Sequence, residues 1–183
     1  MGIRRSEPRS KFHELLQKQI HSEFNASQQY LALAVWCDGE DLPQLARHFY
    51  RQSVEERNHA LAIVRYLMDT AHPVEIPGTG EVRNDFSQVS DVVELALESE
   101  KEVAEDIKTL AKTARAEDDY QGEQFVQWFL KEQIEEISQM TTLLTVVKRA
   151  EGNLFELENF LARETVGQTG PDPTMPAVAG GAL

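Results

Sequence analysis

Six side chains stand where a buried apolar stripe should run, and their types suit metal chemistry. Glu23 interrupts the series Phe12, Leu16, Ile20, Ser27, Tyr30, Ala34, and Glu56 and His59 interrupt Phe49, Ser53, Ile63, Tyr66. Further along, Glu100 interrupts Val93, Leu97, Val103, Ile107, Leu110, Ala114, and Gln133 with Glu136 interrupts Phe125, Phe129, Met140, Leu143, Val147. The apolar residues recur every three or four positions, the period of a helix, so residues three apart share one face. The spacing is duplicated: Glu23 and Glu56 are 33 residues apart, as are Glu100 and Gln133, and His59 and Glu136 each follow three residues later. Carboxylates crowded on inward faces repel one another and lose their hydration, at roughly several kcal/mol per ion unless they are protonated or compensated. One or two divalent cations are the economical compensation. A metal pair needs a bridging carboxylate, terminal carboxylates and an imidazole, and these residues supply that list.

Four long helices must carry these groups. The first runs from about Ser10 to Cys37, with Gly39 as its stop. The second follows Asp41 as N-cap, with Pro43 in its first turn, where the missing N–H costs nothing. The third begins near Ser90 and Asp91 and fades near Arg115, and the fourth follows Asp118 and Asp119 and ends before Gly152. Short connections within each pair predict antiparallel hairpins. The stretch from Ala71 to Val89, with Pro73, Pro77, Gly78 and Gly80, is long enough to travel the length of the bundle. Counted from their turns, the six groups meet at mid-height, ~24–26 Å from the end at ~1.5 Å per residue. Asn153 and Glu156 form a capping-box-like start to a short fifth helix. The expected fold is all-α: a four-helix bundle with one long crossover between the second and third helices and a short fifth helix. The expected division is a mobile arm over 1–9, the bundle with its fifth helix over 10–164, and a flexible tail over 165–183, which could dock to an unknown partner.

Composition narrows the functions. The chain has 183 residues, with 18 Lys+Arg against 31 Asp+Glu for a formal charge of −13. That balance disfavours a nucleic-acid surface, which needs clustered Lys and Arg, and suits cations. With Cys37 as the single cysteine, no intramolecular disulfide and no thiolate-rich metal site can form. No stretch is apolar enough for a membrane span, and the first ten residues lack the apolar core of a secretory signal, so a cytoplasmic location is expected.

Some neighbours of the stripe admit two readings. Tyr30 is a core tyrosine, or a donor of an electron or hydrogen bond beside a metal pair. Trp128 reads mainly as packing. Glu55, Glu132 and Glu135 lie one position off the stripe, where charge is usually solvated, yet they adjoin the ligand positions and could form a weaker third site for iron in transit.

On Gln19-Ile-His-Ser-Glu23, Tyr30, Glu55-Glu-Arg-Asn-His59, Glu100, Gln127-Trp-Phe129 and Glu132-Gln-Ile-Glu-Glu136, the chain resembles the ferritins, and among them the bacterial non-haem ferritins, from about Ser10 to Glu164. The resemblance implies a hollow cage of 24 subunits that oxidises Fe(II) with dioxygen at a dinuclear centre and stores ferric mineral. It implies that Glu23, Glu56 and His59 bind one iron and Glu56, Glu100 and Glu136 the second. Gln133 hydrogen-bonds near the bridging oxygen, Glu55, Glu132 and Glu135 form the third site, and Tyr30 is the family's tyrosine. Glu123 falls at a three-fold pore. Bacterioferritins carry a haem-ligating methionine after the bridging glutamate, where this chain has Arg57, and a Glu-x-x-His in the fourth helix, where it has Gln133 and Glu136; haem is therefore not expected. Two other readings remain: a dinuclear oxidoreductase acting on an organic substrate, and a helical interaction module with incidental glutamates.

Overall fold

The computed structural model describes residues 10–150, 152–164 and 172–182. The expected arm over 1–9 and the tail residues 165–171 and 183 lie outside the described residues. The described chain is all-α: α1 (Lys11–Gly39), α2 (Pro43–Asp69), α3 (Val89–Ala116), α4 (Tyr120–Arg149) and α5 (Leu154–Arg163). The first two helices pack as one pair and α3 with α4 as another, α1 lies against α3, and α5 rests on α2 and α4. This is a four-helix bundle with one long crossover and a short fifth helix.

The C-terminal ends of α1, α2 and α3 share one device. Asp41, Ala71 and Asp118 take positive φ of 59°, 59° and 56°. The next residue then donates its N–H five residues back, Leu42 to Cys37 O, His72 to Leu67 O and Asp119 to Ala114 O, at 3.0, 2.8 and 2.9 Å. Such a closure satisfies carbonyls that the helix leaves without partners. The expected role of Asp41 is corrected accordingly, while α1 ends at Gly39 as expected. Gly39 is the last helical residue, and Asp41 supplies the left-handed turn rather than the N-cap, which is Leu42 with no side-chain cap. The first N–H groups of α2 are met from α5 instead: Gln44 N and Leu45 N donate to the Glu158 carboxylate at 2.8 and 3.0 Å. Glu117 does the same for α1, accepting from Lys11 N and Phe12 N at 2.9 and 3.1 Å. Local caps serve α4 and α5, where Asp119 accepts from Gly122 N and Asn153 from Glu156 N.

Three side-chain amides of α1 hold the crossover along the bundle. Gln17 exchanges two hydrogen bonds with the Glu75 backbone, Asn25 accepts from Gly80 N, and Gln29 exchanges two with the Arg83 backbone. The amides act as the edge of a strand would, satisfying extended backbone that has no sheet.

The core has two apolar clusters. One gathers Leu33, Leu45, Phe49, Val93, Met140, Leu143 and Leu157, and the other Phe12, Leu16, Ile20, Ile63, Leu67, Ile107, Leu110, Val126 and Phe129. Burying such side chains contributes ~1.5–3 kcal/mol each. On every long helix the stripe carboxylate falls between the stretches belonging to these two clusters. A polar layer thus crosses the middle of an otherwise apolar core. Among the described residues, no helix is long and apolar enough to cross a membrane.

Candidate metal centre

Each long helix turns its interrupted stripe inward. Glu23, Glu56, His59 and Glu136 are 1% exposed, Glu100 2% and Gln133 5%. The expectation that all six face inward matches their burial. His59 Nδ1 lies 3.4 Å from Glu56 Oε2 and 4.0 Å from Glu23 Oε2. Single ligand atoms of Glu23, Glu56 and His59 all lie within 4.8 Å of one another. Glu100 and Glu136 complete the layer from α3 and α4, although neither joins that trio within the same distance.

The layer is tied by neutral donors. Tyr30 donates its hydroxyl to Glu100 Oε1 in a short bond, and Gln133 Nε2 donates to Glu100 Oε2 at 3.2 Å. Gln19 Nε2 donates to Glu23 Oε1 at 2.9 Å. Gln52 Nε2 reaches both oxygens of Glu136 at 3.3 Å and Glu55 Oε2 at 2.9 Å. Gln19 and Gln52 were missed by the reading of the stripe. A signal was present: each stands four residues before a stripe glutamate, and the two are related by the same 33-residue step.

Burial dominates the electrostatics. Loss of hydration pushes the Glu23, Glu56 and Glu136 carboxyls well above the usual range, and the next cause is repulsion: by Glu56 on Glu23, and by Glu100 on Glu56 and Glu136. Glu100 is also raised by burial, with the Tyr30 and Gln133 hydrogen bonds opposing it. Burial and then Glu100 push the Tyr30 hydroxyl well above its ordinary value, so it stays protonated and a donor. Four atoms of the layer, Glu23 Oε2, Glu56 Oε1, His59 Nε2 and Gln133 Oε1, are buried without a hydrogen-bond partner. Buried acceptors left in this state are costly, and a cation satisfies the two carboxylates, with His59 Nδ1, which faces them, as the imidazole ligand atom. The donor set is carboxylate oxygens and one imidazole, which fits hard or borderline dications such as iron.

A second group of single ligand atoms within 4.8 Å comprises Glu55, His59 and Glu132. It opens into a cleft of about 980 Å³ lined also by Tyr50, Arg51, Trp128, Glu135, Asp172 and Met175. Of the expected third site, Glu55 and Glu132 are brought together, with His59 as the third member. Glu135 stays at the rim, exposed and 3.6 Å from Lys131 Nζ. Trp128 does more than fill space: its ring meets His59 edge-on at 5.4 Å and its Nε1 donates to Asp172 at 2.9 Å. Glu123 pairs with Arg115 at the start of α4.

Known proteins share the sequence and the fold of this chain. The family model described as Ferritin-like domain matches residues 13–150. Ferritin BfrB of Mycolicibacterium smegmatis is 57% identical over 174 residues, covering 95% of this chain and 96% of that protein. A Mycobacterium tuberculosis relative named Bacterioferritin BfrB is 57% identical over 157 residues, 86% of this chain and 87% of that one. The Bacterial non-heme ferritin of Staphylococcus aureus is 33% identical over 136 residues, 74% of this chain and 82% of that protein. In fold, an open pore ferritin from Archaeoglobus fulgidus superposes with a TM-score of 0.81 at 23% identity, covering 85% of this chain and 97% of that one.

The expectation that haem is absent is corrected by these relatives, since a protein bearing the name bacterioferritin is 57% identical to this chain. The physical reason is local. Arg57 is exposed on α2, with its guanidinium 6.0 Å from the Phe24 ring. The residue types at Arg57, Gln133 and Glu136 govern those places alone and do not decide haem binding by the protein as a whole. With a family model spanning most of the chain, relatives matched over nearly its whole length, and a buried carboxylate layer that crosses a four-helix bundle, the chain belongs to the ferritin-like family.

Proposed function

We propose that this chain is the subunit of an iron-storing ferroxidase, in which Fe(II) is the substrate and ferric mineral the stored product. One observation carries the reading: Glu23, Glu56 and His59 converge in the core, with Glu23 Oε2 and Glu56 Oε1 lacking partners and His59 Nδ1 facing both carboxylates. Glu23, Glu56 and His59 hold one ferrous ion, and Glu56, Glu100 and Glu136 hold the second, with Glu56 shared. Two ferrous ions give up one electron each, and the electron pair reduces dioxygen with two protons to hydrogen peroxide. Oxygen ligands favour the ferric product, so the site binds Fe(II) from solution and drives its oxidation.

The remaining residues shape this chemistry. Tyr30 and Gln133 aim Glu100 by donating to its two oxygens. Gln19 holds Glu23, and Gln52 holds Glu136. Glu55, Glu132 and, at the rim, Glu135 form the approach by which iron enters or leaves, Glu123 lines a pore between subunits, and the mineral collects inside a 24-subunit shell in the cytoplasm. Support for the shell and its oxygen chemistry comes from family membership and from the net charge of −13, which draws cations.

The test is stopped-flow oxidation of Fe(II) by the purified protein, with particle size read by negative-stain microscopy. Wild type should show a fast phase and a hollow particle of about 24 subunits, as the family template implies. Glu23→Ala and His59→Ala should each slow the fast phase by about tenfold or more. A fast phase unchanged in the double variant overturns the reading.

A further inference from the structure

The C-terminal residues 172–182 lie against the bundle around the iron site. Ala179 N donates to Leu61 O of α2 at 3.2 Å, two residues beyond His59, while Asp172 accepts from Trp128 Nε1 of α4. Val178 and Ala179 pack on the apolar cluster around Phe12, Ile63 and Phe129. Asp172, Pro173 and Met175 then form a wall of the cleft that also contains Glu55, His59 and Glu132.

The Asp172 carboxylate is set for its contact. Thr174 N donates to Oδ1 at 2.8 Å, and the Thr174 hydroxyl lies 2.7 and 2.8 Å from the two oxygens. These bonds and the Trp128 indole hold the acid down at about 2, so it remains an acceptor at any working pH. On its far side, the Trp128 ring stands edge-on to His59 at 5.4 Å and 72°, and edge-on to Phe129 at 5.0 Å. Neither His59 nitrogen has a neutral hydrogen-bond partner fixing the ring: Nε2 has none, and Nδ1 faces the Glu56 and Glu23 carboxylates. The aromatic side chains packed around the ring, Trp128 and Phe129, therefore share with these carboxylates in setting its orientation.

We propose that Asp172 is a positioning residue for the iron site, acting through the Trp128 N–H to hold the indole that backs His59, so that the C-terminal segment is a working part of the centre. The inference rests on the functional reading above. It adds a residue 113 positions beyond His59 in sequence that touches no ligand, yet sets how well the imidazole meets Fe(II).

A double-variant cycle on the full chain tests it. Asp172→Ala should raise the Fe(II) concentration that half-saturates the fast phase by about tenfold, the lower end for partners that orient a ligand. Trp128→Phe, which keeps an aromatic ring and removes the donor, should do the same. Adding Asp172→Ala to Trp128→Phe should then change nothing further. In a Trp36→Phe background, which leaves Trp128 as the only tryptophan, Asp172→Ala should shift the emission to longer wavelength as water reaches the indole. Wild-type kinetics in Asp172→Ala, or unchanged emission, overturns the inference. A tenfold loss that persists in the Trp128→Phe background also overturns it, because charge at the cleft mouth would then be the cause. Absence of Fe(II) oxidation in wild type refutes the functional reading itself, and the emission still decides whether Asp172 holds the ring.

Discussion

Replacing Glu136 by Gln should make the metal-free protein more stable while disabling it. Glu136 is 1% exposed, and its carboxyl is raised first by lost hydration and then by Glu100, Glu55 and Glu56. Gln52 donates to it, while Gln52 Oε1 is buried without a partner. A glutamine at 136 keeps an acceptor for Gln52 Nε2, offers a donor to the orphaned Oε1, and removes the like charge. One hydrogen bond contributes about 1 kcal/mol, and relief of buried repulsion about as much again, for roughly 2 kcal/mol in total. In a domain of this size that corresponds to a rise in melting temperature of about 4–8 °C. A carboxyl whose value is raised in the fold contributes fully below the ordinary carboxylate range and loses that contribution as pH climbs through the raised value. Wild type therefore gains more on acidification than the variant, which keeps the raised Glu23, Glu56 and Glu100 carboxyls. The gap should widen as pH rises and close below about pH 4. Thermal unfolding in chelator, repeated across pH, measures it, and stopped-flow oxidation should show the fast phase cut by about tenfold or more. A variant that melts below wild type at pH 8 refutes the idea that this layer is strained without a cation.

Two further expectations concern the scaffold. A Cβ at Gly122 would meet Phe12 Cε1 at 2.3 Å and Asp119 Oδ2 at 2.7 Å, so Gly122→Ala should cost about 1–3 kcal/mol in chemical denaturation; an unchanged midpoint would show that Phe12 can yield. Ala71 sits at φ 59°, where a Cβ is unfavourable, so Ala71→Gly should stabilise by about 0.5–1 kcal/mol despite the added freedom of the unfolded chain, and a lower melting temperature would refute that.

The parts legible in the sequence were those governed by periodicity. A stripe broken by Glu23, Glu56, Glu100 and Glu136 marks both the helices and the buried layer, because a carboxylate on an inward face has no bland explanation. Gln52 escaped notice, and Gln19 was quoted in a motif without a role, because glutamine is ordinary on a helix; only their shared step to a stripe glutamate distinguishes them. Asp41 looked like a cap because aspartate caps helices, yet aspartate also tolerates the left-handed region, and the tight reversal between α1 and α2 uses that second property. The Asp172–Trp128 contact spans 44 residues and has no periodic signature. Haem was misjudged from single positions, Arg57 above all, where type alone decides little.

The long-range caps bear on how the chain reaches its fold. Glu117 serves the start of α1 across 105 and 106 residues, and Glu158 serves the start of α2 across 113 and 114. Emerging from the ribosome, the first hairpin can form its middle turns while both helix beginnings still fray, since their acceptors have yet to be synthesised. Closing loops of this length is entropically slow. The leading ends of α1 and α2 should therefore acquire amide-exchange protection last, when α3 has ended and α5 has docked.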